Sequence, residues 1–205
     1  MRKMRLFLML VMLIVIGLPF SGFATVLGFG PLGPCCSQIP DGYGGFHWDP
    51  NFYNVDNGYL ETNYGFTYGA PSGGAAFNAY DGLQVALWRD TPFTFNGAYF
   101  STWGEDDQYS DMSSRTITIL AYDSQNHLLG TIESALPADH FEHITANIQN
   151  VSRLVFDNDG ISGHRWLMDD LTYNEAIPEP GSLLMLSSGF ALGARRLFSW
   201  GKTRS

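Results

Sequence analysis

The chain has 205 residues, with 11 basic and 20 acidic side chains and a net charge of −9. That length suits one domain with appendages. Arg89, Arg115, Arg153 and Arg165 are the only basic residues among the carboxylates that run from Asp41 to Glu179, and a body this acidic repels phosphate backbones, which argues against nucleic acid as a partner.

Residues 1–24 read as a secretory signal peptide. "MRKMR" is the positive start, "LFLMLVMLIVIGL" the apolar stretch, and "PFSGFA" ends on small residues. Gly22 and Ala24 form a G-x-A cleavage site, so cleavage is expected between Ala24 and Thr25, after passage through the Sec translocon. Residues 25–40 read as a mobile leader. They carry both cysteines, Cys35 and Cys36. Export permits disulfides, and neighbouring cysteines cannot staple distant strands. A vicinal disulfide, an intermolecular bridge and free thiols all stay open.

Residues 41–174 read as one all-β domain. Short apolar or alternating runs are separated by Gly, Asn, Asp and Pro: "GAAFNAY", "LQVALW", "FTFNGAYF", "RTITILAY", "HLLGTIES", "HFEHITANI", "SRLVF" and "HRWLMDDLTY". In "RTITILAY", Ile117, Ile119 and Ala121 share one face while Thr116 and Thr118 share the other. Strand after strand at short spacing predicts an antiparallel β-sandwich of jelly-roll or galactose-binding-like type. Aromatic residues are 15% of the chain, enough to fill the space between two sheets. The stretch from Asp41 to Gly74 is looser and rich in Gly, Asn and Tyr, with Phe46, Trp48, Phe52 and Phe66 as core anchors.

Several clusters invite chemistry. "DNDG" (Asp157 to Gly160) fails the calcium-loop pattern: aligning Gly160 with the loop glycine puts Val155 and Trp166 at ligand positions, so a tight turn is expected. In "WLMDDLTY", strand alternation puts one Asp among apolar neighbours, where it needs hydrogen-bond donors, an Arg or a cation. "HFEH" as a strand sends His140 and His143 to opposite faces, which disfavours a shared metal. "WGEDDQYSDM" sets Glu105, Asp106, Asp107 and Asp111 beside Trp103 without a second acid cluster to pair with, and no G-x-S-x-G motif appears. A non-catalytic protein is expected. Aromatic rings beside acids and amides suit sugar recognition, and Trp48, Tyr53, Trp103 and Asp106 are the candidate glycan contacts, drawn from a wider set that includes Tyr43, Tyr59, Tyr64 and Tyr68.

The tail, residues 175–205, reads "NEAIPEPGSLLMLSSGFALGARRLFSWGKTRS" from Asn174 onward. From Ser182 to Ala194 an apolar helix would span about 20 Å, short of the roughly 30 Å hydrocarbon core. Such a segment suits a transient signal with a basic cytoplasmic flank better than a permanent anchor.

This tail resembles the PEP-CTERM sorting signal of exopolysaccharide-producing Gram-negative bacteria. Pro178, Glu179 and Pro180 match its tripeptide, Leu183 to Ala194 its short hydrophobic transmembrane-type helix, and Arg195 and Arg196 its basic cluster. The resemblance implies an exosortase-type membrane enzyme as processing partner, a transient stay at the inner membrane, and a destination at the outer surface or in the extracellular polysaccharide matrix. The body is similar in segment order to common passengers of that signal. Its closing "MDDLTY" is similar to a strand of carbohydrate-binding jelly rolls, which implies Asp169 as a ligand of a structural calcium ion. Together these lead to an exported, non-enzymatic, glycan-contacting or structural β-sandwich, with exopolysaccharide as the expected ligand. A secreted calcium-dependent enzyme acting on polysaccharide is the alternative.

Overall fold

The computed structural model describes residues 24–79, 84–104 and 111–175. Residues 1–23 of the signal segment, Asp106 and residues 176–205 of the sorting tail, including both terminal helices expected from the sequence, lie outside the described residues. The strands are β1 (Ala24–Leu27), β2 (Ser37–Gln38), β3 (His47–Trp48), β4 (Phe52–Asp56), β5 (Gly74–Asn78), β6 (Val85–Thr102), β7 (Thr116–Tyr122), β8 (Leu128–Ala135), β9 (Glu142–Asp157) and β10 (Trp166–Glu175). One helix, α1 (Asn57–Tyr64), follows β4. The expected antiparallel β-sandwich is the architecture observed: the strands run in the order β2-β4-β5-β10-β6-β9-β7-β8, with β1 beside β10 and β3 beside β6.

Two strands, β6 and β9, belong to both layers. The start of β6 pairs with the end of β9 (Val85 with Phe156, Trp88 with Arg153), and its later part pairs with the start of β9 (Ala98 with Ile144). Register shifts between Trp88 and Gly97 mark the bend. Gly97 sits there at φ 142°, and a Cβ on it would run into the Ile144 carbonyl oxygen, so the bend requires glycine. The first layer is β2-β4-β5-β10 with β1 and the inner halves of β6 and β9. The second is β3, the outer halves of β6 and β9, β7 and β8.

Aromatic rings fill the space between the layers. Phe156 of the second layer meets Phe52, Phe100 and Trp166 of the first at 5.9, 6.2 and 5.6 Å between ring centres. Phe46, just before β3, meets Phe93 and Tyr173 edge-on at 5.2 and 4.9 Å. Ile117, Ile119 and Ala121 all point into this core, as the alternation of β7 predicts. A second apolar cluster lies on the far side of the first layer, where Leu60 of α1 and Phe66 cover Val55, Phe77, Trp103 and Leu167. With the main core on one side and this cluster on the other, β5 is buried along its whole length. The outer face of the second layer carries no such cover from α1.

The structure departs from the sequence reading in four places. Residues 25–40 are not a mobile leader. β1 pairs with β10 from Ala24–Asn174 to Leu27–Leu171, and Phe29 and Ile39 are core residues. Within this segment Cys35 and Cys36 are joined to each other. "VALW" and "FTFNGAYF" belong to one strand, β6, and "EHITANI" and "SRLVF" to another, β9. Asn150, in the gap between the two runs, and Asn147, within the first of them, take φ of 62° and 56° inside β9, a conformation Asn tolerates. The looser early stretch holds α1, capped at Asp56, whose carboxylate accepts the Tyr59 N–H at 2.7 Å, and closed by Gly65 at φ 67°. Finally, Asp170 at φ 48° breaks the alternation of β10. Trp166 and Met168 face the main core before it, and Leu171 and Tyr173 face it after it.

If residues 25–40 are integral, Phe29→Ala should cost about 3–5 kcal/mol in urea unfolding. A free leader would leave the midpoint unchanged.

Candidate functional site

Among the described residues Asp169 is the most buried acid, at 0% exposure. Its Oδ1 accepts the Ser72 hydroxyl at 2.7 Å and the Phe29 N–H at 3.3 Å, and its Oδ2 accepts the Ser72 N–H at 2.6 Å. It therefore ties β10 to the loop before β5 and to the segment after β1. The fit is close: a Cβ on Gly30 would overlap the Ser72 carbonyl oxygen. Burial raises the pKa of Asp169 above the ordinary carboxylate value, and the hydrogen bonds from Ser72 oppose that rise. These partners are N–H and O–H donors, whereas calcium takes oxygen acceptors. Both oxygens of the Asp169 carboxylate therefore accept hydrogen bonds from its neighbours. Among the described residues no three His, Cys, Asp or Glu side chains gather as a metal site.

The expected glycan contacts do not come together. Trp48 is 4% exposed, ringed by Phe29, Phe46 and Phe52, with its indole N–H donated to the Tyr43 carbonyl at 2.9 Å. Trp103 is 1% exposed, against Tyr64 and Phe77 with the Arg165 guanidinium over its ring at 5.3 Å. Both are packing residues with no face left for a sugar. Tyr53 is half-buried beside Phe77. "DNDG" is a turn: the Asn158 side chain holds the Ile161 and His164 carbonyls, and Asp159 pairs with His164 at 2.8 Å. His140 precedes β9, while His143 sits edge-on to Tyr99 at 4.9 Å.

A different aromatic site lies on the open outer face of the second layer. Register places His47 of β3 opposite Trp88 of β6, Trp88 opposite Arg153 of β9, and Arg153 opposite Tyr122 of β7. Directly opposed residues on neighbouring antiparallel strands share a face with Cβ atoms about 5 Å apart. The four side chains therefore form one row across four strands. The His47 ring stacks on Trp88 with centres 5.5 Å apart, and the Arg153 guanidinium lies 4.5 Å from the centre of the Tyr122 ring. Trp88 is 39% exposed, the one exposed tryptophan among the described residues.

The row borders a groove of about 310 Å³ whose further walls include Arg89, Asp90, Asp123, Asn126 and Ser152. Asp123 is committed to the β7–β8 turn. It accepts the N–H groups of Gln125 and His127 at 2.8 Å each and pairs with the His127 ring at 3.1 Å. The backbone N–H of His127 is the main reason its pKa lies below the ordinary value. The arrangement offers a flat indole, amide and hydroxyl groups, and charges of both signs. It holds no nucleophile–base pair of the kind acyl transfer uses. Sequence reasoning missed Trp88, although "LQVALW" carried the signal: with Val85 and Leu87 turned inward, strand alternation sends Trp88 outward.

No known protein family matches the chain, and no curated protein matches it. Among solved structures, a DUF4465 family protein from Bacteroides caccae is 14% identical, with 75% of this chain and 100% of that one covered and a TM-score of 0.49. The K1 cleaved adhesin domain of Lys-gingipain from Porphyromonas gingivalis is 11% identical over 76% of this chain and 100% of that one, with a TM-score of 0.46. A Streptococcus pneumoniae fucose binding module is 10% identical over 75% and 99%, with a TM-score of 0.39.

Two substitutions separate scaffold from surface. Asp169→Ala leaves the buried Ser72 N–H without its acceptor and unties β10 from the Phe29 and Ser72 segments, and should cost about 1–3 kcal/mol in urea unfolding. Trp88→Ala should change stability by less than about 1 kcal/mol.

Proposed function

We propose that this is an exported, non-catalytic β-sandwich that contacts glycan through the His47–Trp88–Arg153–Tyr122 row. The observation that carries the reading is Trp88. An apolar ring held in the open, beside amides and carboxylates on a rigid sheet, suits stacking on a pyranose face while polar groups take its hydroxyls. A tryptophan with only a packing role would sit in one of the two cores, where the other three described tryptophans lie.

The sequence supports the route by which the protein reaches its ligand. Cleavage after Ala24 leaves Thr25 to begin β1, opposite Tyr173. The tail beyond Glu175 then serves as a PEP-CTERM signal: Pro178, Glu179 and Pro180 are the address, and Arg195 and Arg196 the cytoplasmic flank. An exosortase-type enzyme removes the apolar segment, and the sandwich is delivered to the cell surface or the polysaccharide matrix.

Glycan-array and calorimetric titration of the purified protein, beside Trp88→Ala, tests the first part. The substitution should weaken binding at least about tenfold, the loss of roughly 1.4 kcal/mol, with melting temperature unchanged. Equal binding by the variant would overturn the site, and time-dependent chain cleavage would overturn the non-catalytic reading. Mass spectrometry of the surface-associated protein tests the second part. A chain ending near Pro180 is expected, and a chain retaining Arg195 and Arg196 would contradict the sorting route.

A further inference from the structure

Arg153 carries a charge that its neighbours hold in place without neutralising. Its Nη2 donates to the neutral Asn126 Oδ1 at 2.6 Å, and its guanidinium lies over the Tyr122 ring. Among the described residues no carboxylate comes within 4.0 Å of it. The groove's other arginine differs. Arg89 is ion-paired to Glu175 at 2.9 Å, has 12% of its side chain exposed, and is packed over the Phe46 and Tyr173 rings at 5.0 and 5.2 Å. Of the groove's acids, Asp123 is engaged by the turn it holds, and Asp90 stands exposed at the wall.

Arg153 therefore presents a fixed, uncompensated fork directly across the strand register from the exposed Trp88. Arginine pairs with carboxylates through two parallel hydrogen bonds, and its planar head needs little ordering when already held. A pyranose ring resting on the indole brings an exocyclic group within reach of the neighbouring strand, about 5 Å away. We infer that the row takes a carboxylate-bearing sugar, with the ring on Trp88, the carboxylate on Arg153, and Asp90 left to accept hydroxyl hydrogens. This inference rests on the glycan reading above and names its substrate class.

The net charge of −9 opposes an anionic ligand at a distance. At physiological salt that repulsion is screened beyond about 8 Å, so the selectivity comes from the local contact with Arg153. Asp90 works against a carboxylate on its own side of the groove and so favours one orientation of the sugar.

The test uses one oligosaccharide in two forms: a glucuronic-acid-containing oligosaccharide, and the same molecule with its carboxyl groups reduced to alcohols. Calorimetry on the purified protein should find the acidic form bound about tenfold more tightly, the loss expected for one charge-assisted hydrogen-bonded pair. Arg153→Gln should remove that preference, leaving both forms bound alike at the weaker level. Arg153→Lys should keep part of it, and Trp88→Ala should weaken both forms equally. Equal affinity of the unmodified protein for the two forms would overturn the acidic-sugar inference and leave the glycan reading standing. Retained preference in Arg153→Gln would overturn the role of Arg153. Absence of binding to both forms, with binding to unrelated neutral glycans that Trp88→Ala abolishes, would also overturn the acidic class. Absence of all glycan binding would overturn both readings.

Discussion

The pairing of β6 with β9 is the constraint on which the rest depends. Each strand is long enough to serve both layers, so one continuous ladder defines the core and the outer face together. Val85 and Leu87 face inward on the same stretch that turns Trp88 outward. A slip of one residue would bury Trp88 and Arg153 and expose the leucine. The registers of β3 against β6 and of β7 against β9 then add His47 and Tyr122 to the row. The site is thus a by-product of the register that builds the core, and it stands on strands rather than on mobile loops.

The two layers divide the work. The first is covered on both sides, by the main core and by α1 with the chain after it, and its bend near Asp170 is locked by the Asp169 clamp. There the buried carboxylate organises backbone donors from Phe29 and Ser72. Such an acid is costly unless every oxygen is engaged, and here both oxygens are. The second layer keeps one face open. Recognition chemistry can therefore sit on it without disturbing the packing, and the clamp and the row can be altered independently.

Much of the fold was legible in the sequence. Alternation in "RTITILAY" placed Ile117, Ile119 and Ala121 in the core, and the aromatic content signalled a ring-filled interior. What escaped was long-range. "TVLGFGPLGP" reads as part of a leader because its strand is short and glycine-rich, yet its partner, β10, is nearly 150 residues away. The gap around Asn150 reads as a break between two strands because Asn tolerates positive φ, and in β9 that tolerance, at Asn147 and Asn150, accompanies register shifts within one strand. The buried Asp in "MDDLTY" was legible, and so was its need for donors. Which donors could not be read, since Phe29 and Ser72 meet it only through the fold.

The site was less legible than the fold. Trp48 reads both as a core anchor and as a glycan contact and is a core residue, Trp103 reads as a glycan contact and is buried, and Trp88, unremarked within a strand run, is exposed. Composition around a ring says little about its exposure, and the phase of its strand says much more. The central claim is that this one ring receives the sugar. Indole N–H resonances followed by NMR during titration with the glucuronic-acid-containing oligosaccharide test it most directly. The Trp88 signal should shift in a saturable way while those of Trp48, Trp103 and Trp166 stay in place. A shift centred on Trp103 or Trp48, or none at Trp88, would contradict the account.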